Sequence, residues 1–281
     1  MTKKLIESRQ LPEEFKPKNS GTSTCIESLS SNRSSVPFKD EIKTKQALVT
    51  VGGNSSRLKK SGLKISYSKS FLMVEGQPLF YWCLLGLYEA GIEKLVIISD
   101  KEKNHAIAKK VLEHFPFRFR DVVFYQDPGL GSNGLPYQAR ELLDEHFFFE
   151  CGHSMSSSCH YRKMDSLRKD HNIILSAFVP NRLVSRPYAH FTSKKIVPIE
   201  ELMGEKNEYE VGSPFLLNQE YANNLPQIDF SLKEAIHLYN KQGRLSLVPS
   251  KLPIEFDVLE EMENAMPQYI DFVNQSYRKG I

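Results

Sequence analysis

The chain has 281 residues, 40% of them apolar and 25% charged, which is enough for one large α/β domain or two small ones. Its net charge of +3 is too small to argue for a nucleic-acid partner, and no apolar run reaches the ~18–20 residues that cross a bilayer. The opening MTKKLIESRQLPEEF has no apolar stretch after its lysines and so does not read as a secretory signal.

Residues 1–44 read as a disordered tail. Ser20–Val36 is Ser-rich, and Glu13–Lys18 before it is charged and contains Pro17. From Lys45 strand and helix patterns alternate, so 45–281 reads as a single domain. Ala47–Val51 is a β-type run. Pro78–Ala90 opens with Pro, carries apolar residues at helical spacing and stops at Gly91, which are helix start and stop signals. Lys94–Ser99 reads as a buried strand, Glu102–His114 as a helix, and Val122–Tyr125 as a strand. Asn133–Leu143 reads as a helix, His146–Glu150 as a strand, Tyr161–Lys169 as a polar helix, and Asn172–Val179 as another strand. Alternation of this kind predicts a layered α/β fold with a mixed, mainly parallel sheet. Tyr188–Phe191, Lys195–Ile199 and Tyr209–Leu217 read as shorter strands of an antiparallel excursion. Ser231–Lys241 reads as a helix, Leu245–Val248 as a strand and Leu259–Asn274 as a closing helix.

The richest stretch is Ala47–Gln77. An apolar run leads into Gly52 and Gly53, then Arg57, and Lys69 heads a second apolar run. Flexible backbone N–H groups plus two fixed cations suit a polyphosphate. A plain strand-to-loop turn is the simpler reading of the glycine pair alone. The stretch is not a Walker A loop, because no Gly-Lys-Ser/Thr follows at the required spacing. In open sheets ligands bind at the carboxyl ends of the strands, which places the Gly52 loop, the Gly129 loop and Cys151–Ser154 at one rim.

With those residues in place the chain resembles the sugar-1-phosphate nucleotidyltransferases, whose fold is the glycosyltransferase A-type sheet. The likeness runs from about Lys45 to about Val273. It is carried by VGGNSSRL, SKSFLMVEGQPLFYWCL, QDPGLGSNGLPYQA, FFFECGHSM, EVGSPFLLNQEY and IEFDVLEEMENA, in the family's order and spacing. The resemblance implies attack of a small phosphorylated acceptor, first of all a sugar 1-phosphate, on the α-phosphorus of a nucleoside triphosphate, with pyrophosphate leaving. It implies that Gly52, Gly53, Asn54 and Ser56 form the nucleotide loop, that Arg57 holds the leaving pyrophosphate and that Lys69 holds the α-phosphate. Gln126, Gly131, Ser132 and Gly134 then lie near the base. Glu200, Glu201 and Gly212 fall in the acceptor segments. His153 and Asp257 become the ligands of a divalent metal, magnesium or manganese. The implied protein is a cytoplasmic enzyme that binds neither nucleic acid nor membrane; a homo-oligomer is compatible with it.

The sequence departs from the family at His153, where a Gly-Asp acid normally stands. Imidazole suits manganese or zinc better than magnesium. Three readings stay open: a softer metal on His153 and Asp257, magnesium held by Asp257 and substrate phosphates, or a degenerate transferase that keeps nucleotide or sugar-nucleotide binding as a partner protein. Ser68 stands where the family has Pro, and the lysine of the family's Glu-Glu-Lys segment is Leu202. A glycosyltransferase on the same sheet is a further reading, less suited to a loop with Arg57. Cys151, His153, Cys159 and His160 also place four zinc-capable side chains within ten residues, at a spacing that matches no common zinc motif. With Cys25 and Cys83 distant in sequence, reduced thiols are expected.

Overall fold

The computed structural model describes residues 27–30, 42–53, 55–63, 65–127, 134–169, 171–178, 191–192, 208–228, 232–250 and 259–276. Its strands are β1 (Glu27–Ser30), β2 (Gln46–Thr50), β3 (Met73–Val74), β4 (Gln77–Pro78), β5 (Lys94–Ser99), β6 (Asp121–Gln126), β7 (His146–Cys151), β8 (Ile173–Phe178), β9 (Phe191–Thr192), β10 (Glu208–Asn218) and β11 (Leu245–Pro249). The helices are α1 (Ser56–Lys60), α2 (Leu79–Ala90), α3 (Glu102–His114), α4 (Leu135–Gln138), α5 (Ser158–Ser166), α6 (Gln219–Asn224), α7 (Leu232–Lys241) and α8 (Leu259–Ser276). No helix among the described residues is long and apolar enough to cross a membrane.

The main sheet runs β1-β6-β5-β2-β7-β10-β8-β11, with β9 pairing β10 outside that path. The pairs β6–β5, β5–β2, β2–β7 and β8–β11 are parallel, whereas β10 runs antiparallel to both neighbours and β1 runs antiparallel to β6. This is the mixed, mainly parallel α/β sheet that the alternating pattern predicts. Strand order reverses at β2. The chain steps outward through β5 and β6, then returns to place β7 on the other side of β2.

The near-continuous apolar strands are explained by burial on both faces. Ala47, Val49, Leu95, Ile97, Phe148 and Ile174 face one core, with α2, α3, α5 and α8 packed over it. Leu48, Val96, Ile98, Phe147, Phe149, Ile173 and Leu175 face the other, under α4, α6 and α7. Successive side chains of a strand point to opposite faces, so every strand serves both layers. Helix α2 ends where Gly91 turns left-handed at φ 97°, its N–H bonding Leu87 O and Tyr88 O.

Within the first 44 residues, where the sequence suggests a tail, Glu27–Ser30 lies along β6 with Glu27 opposite Phe124 and Ser30 opposite Asp121. Ile42 is buried, and the N–H groups of Lys43 and Thr44 donate to Asp165 Oδ2 at 2.8 Å and Oδ1 at 3.0 Å. The helix expected over Asn133–Leu143 is shorter. It is a single turn, α4, followed by a 3-10 turn at Arg140–Leu142. The Arg140 guanidinium explains the break, since it stacks on the Tyr137 ring at 4.1 Å and donates to the Tyr137 carbonyl at 2.8 Å, the bond that a continuing helix would use. Of the expected shorter strands, Tyr209–Leu217 falls within β10 and Phe191 within β9, while Lys195–Ile199 lies outside the described residues.

Asp165, 8% exposed, joins α5 to the entry of β2. Asp165→Ala leaves two backbone N–H groups without their acceptor. It is expected to lower stability by about 1–3 kcal/mol in urea unfolding.

Candidate functional site

The reversal of strand order opens a crevice at the carboxyl ends of β2 and β7, where open α/β sheets bind ligands. Thr50 and Cys151 pair across it, and Gly152 N–H donates to Thr50 O at 2.8 Å. A side chain at Gly152 has no room. A Cβ there would lie 3.0 Å from Thr50 O, 3.0 Å from Val51 Cγ1 and 3.2 Å from Phe80 Cδ2. The segment after β7 can therefore close onto β2 only through glycine, and it carries His153 to the crevice wall.

The Gly52 loop is held from three directions. Val51 N–H donates to Ile98 O at 2.9 Å. Gly52 O accepts the Ser68 hydroxyl at 2.8 Å. Gly53, exposed and left-handed at φ 90°, donates its N–H to Asp100 Oδ1 at 3.1 Å. The N–H expected to face a phosphate thus meets a carboxylate of the chain itself. Ser55 adopts φ 48°, a left-handed conformation uncommon for a residue with a side chain, and its hydroxyl accepts the Lys69 N–H at 2.9 Å. This bond fastens the turn that carries half-buried Lys69 to the loop.

The other expected residues fall as follows. Arg57 and Ser56 belong to α1, directly after the loop. Gln126 ends β6, exposed and opposite Ser99 of β5. Gly134 is buried at the start of α4. Gly212 is buried in β10 opposite Ser176. Asn54, Gly131, Ser132, Glu200, Glu201 and Asp257 lie outside the described residues. The Gly52 loop follows β2, the Lys69 turn is bonded to that loop through Ser55, and Gly152, the residue before His153, is bonded to Thr50 of β2.

His153 is 8% exposed, and its Nε2 is shielded from solvent. Magnesium takes oxygen ligands in an octahedral shell and keeps several waters. A buried imidazole nitrogen does not fit that ion, and no group of three or more His, Cys, Asp or Glu side chains gathers for a metal among the described residues. The zinc reading of Cys151, His153, Cys159 and His160 meets the same result. Cys159 is exposed, and His160 Nε2 pairs with Ser176 Oγ at 2.8 Å.

That His160 contact belongs to a hydrogen-bonded layer behind the crevice. Ser176, fully buried, donates its hydroxyl to Pro214 O at 2.7 Å, so His160 Nε2 is the donor to Ser176 Oγ. Burial, assisted by nearby Lys163, lowers the His160 pKa from the ordinary 6.5 to about 4. One residue on, the Ser213 hydroxyl meets Ser154 Oγ at 2.6 Å and accepts the Cys151 N–H at 3.2 Å. The register of β10 against β8 shifts between Gly212 and Phe215. The shift turns residues 213 and 214 toward α5 and the end of β7. A buried thiol also lies under the rim: burial, Glu150 and Cys151 push the Cys83 pKa well up, so it stays protonated and unreactive.

Sequence reasoning passed over Asp100, Ser55, Asn104 and Ser213. Asp100 had a readable signal, since it follows a buried strand ending at the same rim. Ser55 and Ser213 act through hydrogen bonds between distant segments and have no local signature.

No family model matches the chain, and no curated protein matches it. Solved structures do. A protein described as a glucose-1-phosphate thymidylyltransferase from Bacillus anthracis, in complex with sucrose, superposes with a TM-score of 0.63 at 16% identity, over 80% of this chain and 95% of that one. The inositol-1-phosphate CTP transferase from T. maritima gives 0.59 at 16% identity, over 82% and 97%. The 4-diphosphocytidyl-2C-methyl-D-erythritol synthase from Anaerococcus prevotii gives 0.56 at 13% identity, over 81% and 96%. The chain therefore has the nucleotidyltransferase fold that its motifs resemble. At these identities it is a divergent example of that fold.

Two outcomes follow from this geometry. Gly152→Ala, forced against Thr50 O and Val51, is expected to cost about 1–3 kcal/mol in thermal or urea unfolding. For His160, the unfolded chain takes up a proton near pH 6.5 and the folded chain only near pH 4, so its contribution to stability is complete above pH 6.5 and is lost as pH falls toward 4. His160→Gln should flatten that part of the stability–pH curve relative to the unsubstituted protein.

Proposed function

We propose that the protein transfers a nucleoside monophosphate from a nucleoside triphosphate to a small phosphorylated acceptor, in the first place a sugar 1-phosphate, and releases pyrophosphate. The observation that carries this reading is the pinned Gly52–Ser55 loop at the reversal of strand order, with Lys69 fastened to it through Ser55. The names of the neighbours support it. They include a glucose-1-phosphate thymidylyltransferase and an inositol-1-phosphate CTP transferase.

In this reading a phosphate oxygen of the acceptor attacks the α-phosphorus and the bond to the β-phosphate oxygen breaks. The acceptor phosphate is already an anion near neutral pH and needs no strong general base. Alignment and charge neutralisation do most of the work. Lys69 stabilises the α-phosphate as negative charge grows on its oxygens, and Arg57 takes the leaving pyrophosphate. Gly53 leaves open space for the nucleotide, and Gly52, where a Cβ would press on Asp100, lets the loop lie close to the end of β5. Asn54 and Ser56 extend that loop, and Gln126, Gly131, Ser132 and Gly134 border the base. Glu200, Glu201 and Gly212 face the acceptor. Asp257, with a metal softer than magnesium at His153, belongs to the same proposal.

A second reading, a nucleotide-binding partner without turnover, is favoured by one observation: the imidazole of His153 is buried where the family has an acid. Thermal melting with ATP, CTP, GTP, UTP and dTTP, each with magnesium, manganese or chelator, separates the two. A ligand bound only by the folded state at 100 times its Kd adds about 2.7 kcal/mol. One nucleotide whose shift needs metal supports the transferase, a shift indifferent to metal supports the binding protein, and no shift with any of the five removes both. For the transferase, Arg57→Ala and Lys69→Ala should each lower kcat/KM about 10²-fold or more in a pyrophosphate-release assay. Full activity in either variant would remove that residue from the phosphate clamp.

A further inference from the structure

Ser68 is completely buried at the turn before Lys69, and both its N–H and its hydroxyl are hydrogen-bonded, the hydroxyl also meeting Ser70 Oγ at 3.2 Å. Its N–H donates to Asn104 Oδ1 at 3.3 Å, its hydroxyl donates to Gly52 O at 2.8 Å, and the same oxygen accepts the Ser70 N–H at 3.4 Å. At the next position Lys69 N–H donates to Ser55 Oγ. The loop is therefore tied twice to the turn that carries the lysine, and that segment is tied to α3 by Asn104 at Ser68 and by Lys103 at the Ser66 carbonyl.

Backbone conformation does not call for serine here. Ser68 has φ −63° and ψ 148°, values that proline also adopts. What serine adds is an N–H and a hydroxyl, and both are spent on the site. Asn104 is equally buried. Its Oδ1 accepts the Ser68 N–H, while its Nδ2 meets no acceptor among the described residues. An interior amide with half its hydrogen bonding unused is less favourable than an apolar side chain of similar size. The acceptor it offers to Ser68 is what it supplies in return.

We infer that Ser68, held in place by Asn104, is a positioning residue that sets the separation between the Gly52–Gly53 backbone and Lys69, and so selects a polyphosphate chain. The inference rests on the nucleotide reading above. Neither side chain touches the ligand; they act through the Gly52 carbonyl and the turn at Lys69.

The test combines binding and melting. Kd values for ATP, CTP, GTP, UTP and dTTP, and for the matching nucleosides, are measured by calorimetry on the full chain and on Ser68→Ala, Ser68→Pro, Asn104→Leu and the Ser68→Pro, Asn104→Leu pair. Ser68→Ala, which removes the tether to Gly52 O together with the local bonds to Ser70, should weaken the best triphosphate about tenfold and leave the nucleoside unchanged. Ser68→Pro and Asn104→Leu should each lower Tm, because each strands the other's group. The double variant should melt above the temperature that the summed losses give, since donor and acceptor leave together. Its triphosphate affinity should stay as weak as that of Ser68→Pro, because the Gly52 tether is still missing. A Ser68→Ala protein that binds triphosphate like the unsubstituted chain overturns the inference, as does a double variant whose affinity recovers with its stability. Additive Tm losses remove Asn104 from it. If the unsubstituted chain binds none of the five nucleotides, the nucleotide reading falls and takes this assignment with it.

Discussion

The parallel pairing of β2 with β7 is the constraint on which the rest of this molecule depends. These strands are distant in sequence and adjacent in space, so the chain must reverse its direction of travel across the sheet between them. The reversal leaves their carboxyl ends without a connection running across them, which opens a crevice. Closing the far side of that crevice requires the backbone after β7 to lie against Thr50 O and Phe80, and only a residue without Cβ fits there. Gly152 is thus a packing requirement first. It also fixes the start of the segment that carries buried His153, the next residue, at the end of β2.

The loop itself is a compromise between freedom and fixation. Gly53 has open space where a side chain would stand, whereas a Cβ at Gly52 would press on Asp100 Oδ1 at 3.1 Å, so glycine at 52 lets the loop lie against the end of β5. Bonds from two other segments fix the loop. Asp100 comes from the end of β5, Ser68 from the turn after α1, and Ile98 from within β5. Each is short and local to the rim, so the loop is set by the ends of the strands rather than by its own sequence. The left-handed Ser55 fits this pattern. A strained backbone persists where surrounding bonds over-determine it, and Ser55 Oγ is held by the Lys69 N–H.

How much of this the sequence carried depends on the range of the interaction. The layered sheet was legible because each strand is an apolar run that serves two cores, and the helices between them have ordinary start and stop signals. The Gly52 loop and Cys151–Ser154 were legible at adjoining strand ends because strand ends are predictable once the strands are, while the Gly129 loop of the same reading lies outside the described residues. The helix over Asn133–Leu143 was overread, since a cation stacked on Tyr137 competes for the carbonyl that would continue it. The strand at Glu27–Ser30 was missed because a four-residue polar segment gains its hydrogen bonds only from β6 and has no apolar alternation of its own. Asn104 and Ser213 were missed for a related reason. Their roles exist only between segments tens of residues apart.

His153 sharpens the chemical question in a definite direction. Phosphoryl transfer needs charge neutralised on oxygens that move little, and either fixed cations or a metal supply it. An exposed acid would favour a hard, hydrated ion. The buried imidazole instead lies in a wall of small residues: Gly152 before it and Ser154 after it, with the Ser154 hydroxyl already engaged by Ser213. This wall has few oxygens to spare for an octahedral ion. Under the proposed transfer, more of the neutralisation would fall on side chains such as Lys69, and the separation of its turn from the loop would matter more than in a site where an ion can adjust between the phosphates. The hydrogen bonds around buried Ser68 and around Ser55 are what would hold that geometry.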